Sequence, residues 1–249
     1  MTPRLLARAS RRAARGLFDA FAEIGGARRY PPANTLAAAH RLAAAAGALA
    51  RAHELHVTVH GDIPRGPALV VTHPAGPLDA LALLPVCPAI PIAPAAVLGW
   101  PVIGTLATAF GVAFVTRADP MARVRTLRRV HALLAAGVSV VDYTLPAPGG
   151  AVGDLRRGGV GIAARLGLPI VPVAIRYAEP PPRRAPGTSL TRHYLALAAQ
   201  PRVDIELVFG APVHARAGEP AEVLADRVRH RVARLLRLGA TAPAQLRVA

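Results

Sequence analysis

"PALVVTHPAGPLDALAL", residues 67–83, runs from an apolar stretch into a histidine, through a short loop holding Pro74, Gly76 and Pro77, and on to an aspartate that heads a second apolar stretch. The first part, 67–72, reads as a buried strand. Residues 78–84 begin a helix with Asp79 near its amino end. Outward from this segment the same alternation recurs. "LHVTVH" (55–60), "VAFVT" (112–116), "VSVVD" (138–142), "PIVPVAIR" (169–176) and "VDIELVF" (203–209) read as strands. A helix follows Asp119, with Pro120 at its first position and Gly137 as its stop; others run from about 155 to 166 and from Glu219 to about 238. Alternation of this kind predicts an α/β fold, a mostly parallel sheet flanked by helices, with its site beyond the carboxyl ends of the strands.

The chain has 249 residues and no polar low-complexity linker, which predicts a single globular domain. Within it we expect a basic amphipathic helical region over 1–52 and the α/β part over 53–240. All 30 basic residues are arginine, and with 14 acidic residues the net charge is +16. That excess favours a polyanionic partner. Aromatic residues make up only 4% of the chain, too few to interleave with the arginines for base stacking, so a membrane surface or phosphate is favoured and nucleic acid is not expected. The lone Cys87 excludes an intramolecular disulfide and reads as an inert core thiol.

Arg4, Arg8, Arg11, Arg12 and Arg15 interrupt the apolar core that a secretory signal needs, while Leu5, Leu6, Leu17, Phe18 and Phe21 suit an amphipathic helix. Such a helix either docks on anionic headgroups or covers the core. From Ala80 to Thr116 no residue is charged, but Pro85, Pro88, Pro91, Pro94 and Pro101 exclude a continuous spanning helix; short elements around a dry core are expected. His53, His56 and His60 have metal-ligand spacing for a helix, yet Leu55, Val57 and Val59 alternate with His56, Thr58 and His60, so a strand with a wet face is the reading and no metal is expected.

His73, at the strand's end, and Asp79, at the helix's start, are placed to meet. Imidazole is the natural general base near neutral pH, and a carboxylate on its second nitrogen fixes the tautomer and stabilises the imidazolium. A turn histidine beside a helix-capping aspartate gives the same pattern.

The order of the blocks resembles the glycerolipid acyltransferases, the superfamily of glycerol-3-phosphate and lysophosphatidic acid acyltransferases. "THPAGPLD" fits the longer bacterial version of their histidine–aspartate motif, "GVAFVTR" (111–117) their second block, and "LRRGGVGIAARLGLPIVPVAIR" their fourth. The resemblance implies His73 and Asp79 as catalytic residues, Arg117 as ligand of the acceptor's phosphate, and Thr72, Gly76 and Arg157 as further substrate-binding residues. It also implies a peripheral membrane enzyme on the cytoplasmic face of the cell membrane. That enzyme moves a fatty acyl group from acyl-CoA or acyl carrier protein to a lysophospholipid hydroxyl, with no cofactor beyond these co-substrates. One block departs: where the family carries phenylalanine, proline, glutamate and glycine, this chain reads "VVDYTLPAPGG" (140–150), which places Thr144 near the glutamate's position and leaves Asp142 as the nearby acid, so both are candidate substrate-binding residues, with a strand-end cap as the other reading of Asp142. Two expectations follow, an acyltransferase with an altered acceptor site, or a catalytically silent relative that binds lipid or other anions.

Overall fold

The structure is a computed structural model that describes residues 3–100, 102–116, 119–143, 154–179, 190–200, 202–238 and 246–248. In chain order the elements are α1 (Pro3–Arg29), α2 (Thr35–Ala52), β1 (Leu55–His60), β2 (Leu69–Thr72), α3 (Asp79–Leu83), β3 (Ile90–Pro94), a 3-10 turn (Ala95–Gly99), α4 (Ile103–Ala109) and β4 (Ala113–Val115). There follow α5 (Pro120–Ala135), β5 (Val140–Asp142), α6 (Asp154–Arg165), β6 (Ile170–Tyr177), α7 (Leu190–Ala198), β7 (Val203–Phe209), α8 (Ala221–Leu238) and β8 (Leu246–Val248).

The described strands form one sheet in the order β4-β3-β5-β2-β6-β7-β1-β8. Pairs from β4 through β6 are parallel, as is β1 with β7; β6 with β7 and β1 with β8 are antiparallel. The chain moves from β2 through β3 to β4 by way of α3 and α4, then returns through β5 to β6 by way of α5 and α6. Right-handed crossovers in opposite directions put the two helix pairs on opposite faces. The neighbours β5 and β2 send their outgoing connections, α6 and α3, to opposite faces, so the crevice of the sheet opens between their carboxyl ends. Every residue of β2 is buried, because helices cover both faces there; β1 and β7 alternate buried with half-buried residues.

The uncharged stretch folds as expected into short elements, but β3 was not legible in it. Pro91 sits inside an internal strand, which ordinarily excludes proline. The Ile90 N–H bonds the Ser139 carbonyl on the β5 side. The missing donor of Pro91 therefore points to the other side, where pairing with β4 begins only at Ile92. Among the described residues no helix is long and apolar enough to cross a membrane.

Helix α1 buries its small residues, Ala9, Ala13, Ala20 and Ala27, together with Ile24, and leaves Leu17, Phe18 and Phe21 exposed, Phe18 to 72%. It packs on α2, α4 and α7. Arg12 belongs to its buried face: it forms an ion pair with Glu54 and donates to the Gln200 carbonyl. His53 closes α2, its N–H donating to the Leu49 and Ala50 carbonyls. It lies outside the strand pattern, and His60 is buried rather than on a wet face.

Burial, and then the nearby Arg12 charge, push the His53 imidazole down to about 4 from its ordinary 6.5. An unfolded chain takes up this proton below 6.5 and the folded one resists until about 4, so stability is complete above 6.5 and is lost as pH falls between the two values. We expect this residue to remove about 3 kcal/mol of stability over that window, and His53→Gln to flatten the fall in unfolding free energy measured by denaturant titration at pH 7 and pH 4. A second outcome concerns Gly61, at φ +77°, where an added Cβ would lie 2.1 Å from the Phe209 carbonyl oxygen. Gly61→Ala is expected to lower the melting temperature by several degrees, since both the left-handed backbone and the clash oppose the side chain.

Candidate active site

The loop from His73 to Leu78 contributes few backbone donors, because Pro74 and Pro77 have no N–H. Those that remain turn inward. Ala75 N–H donates to Asp79 Oδ2 at 2.8 Å, and Gly76 N–H reaches both oxygens, at 2.9 Å to Oδ1 and 3.1 Å to Oδ2. The Tyr177 hydroxyl donates to Oδ1 at 2.7 Å, and the Leu78 N–H is directed at that same hydroxyl oxygen. Asp79 is thus 4% exposed yet densely bonded. Burial raises its carboxyl above the ordinary value, opposed by the Tyr177 hydrogen bond, the two loop N–H groups and the charge of His73.

His73 is half-buried and follows directly on β2. Its charge acts on Asp79, so the two residues singled out from the sequence are brought to one place. A carboxylate offers about four acceptor positions, and the three donors named above leave room for an imidazole N–H.

The pleat of the sheet decides which further side chains arrive here. Leu69 and Asp142 face α6, where a Cβ built on Gly159 would lie 3.7 Å from Leu69 Cδ2 and 3.8 Å from Asp142 Oδ2. Register pairs Leu69 with Ile170 and Val71 with both Asp142 and Pro172, so these share the α6 face. Residues one step out of phase, among them Thr72, Tyr143 and Tyr177, belong to the face that carries α3. Tyr143 and Tyr177 both lie near Asp79, whose charge, after burial, drives both phenols up.

This placement changes the expected roles of several residues. Thr72 is fully buried and spends its hydroxyl on the His73 carbonyl at 3.4 Å, so it shapes the strand end and has no surface with which to touch a substrate. The Gly76 N–H is taken by Asp79. Asp142 is 2% exposed and turned toward α6; the residue coupled to Asp79 is its neighbour Tyr143. Arg157 forms an ion pair with Glu222 of α8 at 3.3 Å. Gly158 serves packing, since a Cβ there would come within 2.6 Å of Leu127 on α5. Arg117 and Thr144 lie outside the described residues. Cys87 is buried, and burial raises its thiol to about 11, as a core cysteine requires.

Tyr177 and Tyr143 were not singled out in the sequence. Tyr177 ends the "VPVAIRY" strand, and its even spacing from Val173 and Ile175 is the signal that set it on their face. Tyr143 carried the corresponding signal as the residue after Asp142.

Residues 56–176 match the model of the Acyltransferase family. The chain is 26% identical over 140 residues to the chloroplastic 1-acyl-sn-glycerol-3-phosphate acyltransferase BAT2 of Brassica napus, which covers 55% of this chain and 37% of that protein. The chain therefore spans well under half of that relative's length. Its fold matches the crystal structure of the 1-acyl-sn-glycerophosphate (LPA) acyltransferase PlsC from Thermotoga maritima, with a TM-score of 0.61 and 18% identity over 92% of this chain and 96% of the other.

The Tyr143 hydroxyl is buried and has no hydrogen-bond partner among the described residues. An unpaired buried hydroxyl costs roughly 1–3 kcal/mol, so Tyr143→Phe is expected to raise the unfolding free energy by about 1 kcal/mol in urea titrations. A loss of stability on that substitution means the hydroxyl is bonded in solution.

Proposed function

The chain belongs to the glycerolipid acyltransferase superfamily, and on that premise we propose that it transfers a fatty acyl group from a thioester donor, acyl-CoA or acyl carrier protein, to the hydroxyl of a lysophospholipid. The observation that carries this reading is the buried, multiply bonded Asp79 within reach of the charge of His73 at the carboxyl end of β2, beside β5, whose outgoing connection goes to the opposite face.

In the proposed reaction the acceptor hydroxyl oxygen attacks the thioester carbonyl while His73 takes its proton. Asp79 holds the imidazole and offsets the positive charge that forms. The tetrahedral intermediate collapses with cleavage of the carbon–sulfur bond, and the leaving thiolate recovers the proton from the imidazolium. General-base catalysis of this kind supplies about 10²–10⁴-fold, so orientation of the two substrates supplies much of the rest. Arg117 is the proposed ligand of the acceptor's phosphate, a role suited to a planar fork of donors. The uncharged stretch from Ala80 to Thr116 is the proposed path of the acyl chain, each methylene of which stabilises the complex by about 0.8 kcal/mol when buried.

We further propose that the protein works while peripherally bound to an anionic bilayer. Support comes from α1, where exposed Leu17, Phe18 and Phe21 stand beside exposed Arg11 and Arg15, and from the +16 net charge.

With long-chain acyl-CoA and lysophosphatidic acid, thiol release is expected from the wild type and to fall at least about 100-fold in His73→Ala. Lipid binding without turnover across a panel of lysophospholipids and both donor types supports the silent-relative reading instead. Arg117→Ala is expected to raise KM for the phosphorylated acceptor far more than KM for acyl-CoA. In sedimentation with vesicles, Phe18→Asp combined with Phe21→Asp is expected to abolish binding to phosphatidylglycerol; unchanged binding removes α1 as the docking element.

A further inference from the structure

The hydrogen bonds on Asp79 are of two kinds. Those from Ala75 and Gly76 come from the loop that Asp79 itself closes, and they move with it. The bond from Tyr177 spans 98 residues of sequence and ties the carboxylate to β6, the strand beside β2. The tyrosine hydroxyl is itself fixed, since the Leu78 N–H is directed at its oxygen while its proton goes to Oδ1. Tyr177 therefore joins the start of α3 to the sheet.

We propose that Tyr177 is a positioning residue for this site: by donating its hydroxyl to Asp79 Oδ1 it locks the carboxylate in the single orientation from which Asp79 serves His73. The proposal deepens the acyltransferase reading and rests on its assignment of His73 as base. A carboxylate held only by its own loop moves with that loop and with α3, and the imidazole it orients moves with it. The 2.7 Å bond from β6 removes that freedom.

The same bond favours the ionised carboxylate against the burial that disfavours it. The groups facing Asp79 are His73 from the end of β2, Tyr177 from β6 and Tyr143 from the end of β5, with Cys87 behind Tyr143. Both tyrosines and the cysteine are held neutral by burial at and below neutral pH.

The test compares wild type, Tyr177→Phe and a protein with 3-fluorotyrosine at 177, by two readouts. One is the pH profile of kcat/KM for thiol release with acyl-CoA and lysophosphatidic acid. The other is the titration of the Asp79 carboxyl carbon by NMR, assigned with Asp79→Asn. Tyr177→Phe keeps the ring and removes one oxygen; a lost hydrogen bond to a charged group is expected to move the Asp79 midpoint up by about one pH unit and to lower kcat/KM roughly tenfold, most strongly on the acid limb. The fluorinated ring is a stronger donor and moves the midpoint down, so an unstable phenylalanine variant still leaves the proposal decidable. A midpoint that stays put in both variants, or a loss of rate equal at all pH values, overturns it. If the wild type turns over no acceptor, the acyltransferase reading fails by that result, and the NMR midpoint alone decides whether Tyr177 governs Asp79.

Discussion

A carboxylate removed from water is the constraint around which this protein is built. Taking such a group out of solvent costs several kcal/mol, and the cost is bearable only where donors replace the lost hydration. Asp79 meets it with two N–H groups of its own loop and one hydroxyl from a strand 98 residues away. The two prolines of the loop, the early start of α3 at Asp79 and the length of β6 out to Tyr177 follow from that requirement. The prolines remove donors that would point elsewhere, and β6 delivers the Tyr177 hydroxyl. The result is an acid that can orient a neighbouring imidazole without exchanging its position for a water-facing one.

The sheet distributes the remaining chemistry by its two-residue period. Asp142 and Tyr143 are adjacent in sequence and serve opposite faces: the acid is buried against α6, and the phenol lies near Asp79. The departure of "VVDYTLPAPGG" from the family's third block is therefore more than the loss of a glutamate. It leaves an aromatic hydroxyl near Asp79, while Asp142 is buried against α6. The glycine pair of the fourth block has a packing role in the same layer, since Gly158 admits Leu127 of α5 and Gly159 lies over Leu69 and Asp142.

Helix α1 shows how composition misleads about which face is inside. Its leucine and phenylalanine residues suggest a core-facing stripe. The buried stripe is instead alanine, with Arg12 held by Glu54 and the Gln200 carbonyl. Small residues let α1 approach α2, α4 and α7 closely, and Leu17, Phe18 and Phe21 are left on the outer surface beside Arg11 and Arg15. An amphipathic helix has two usable faces, and periodicity alone does not say which one the protein keeps.

The sequence by itself determined the α/β class, β1 and β7 to the residue, the helices after Asp119, near Leu155 and after Glu219 to within about two residues, and the placing of His73 at a strand's end with Asp79 at the start of the next helix. These are local facts: strand and helix periods, caps, and a loop too short to carry its ends far apart. Sequence could not expose β3, because Pro91 is tolerated only by virtue of where β4 begins to pair. Nor could it expose Tyr177, Tyr143 or the inward turn of Asp142, because each depends on register between strands far apart in the chain. Side-chain period says that two residues share a face; only the assembled sheet says which face, and what lies across it.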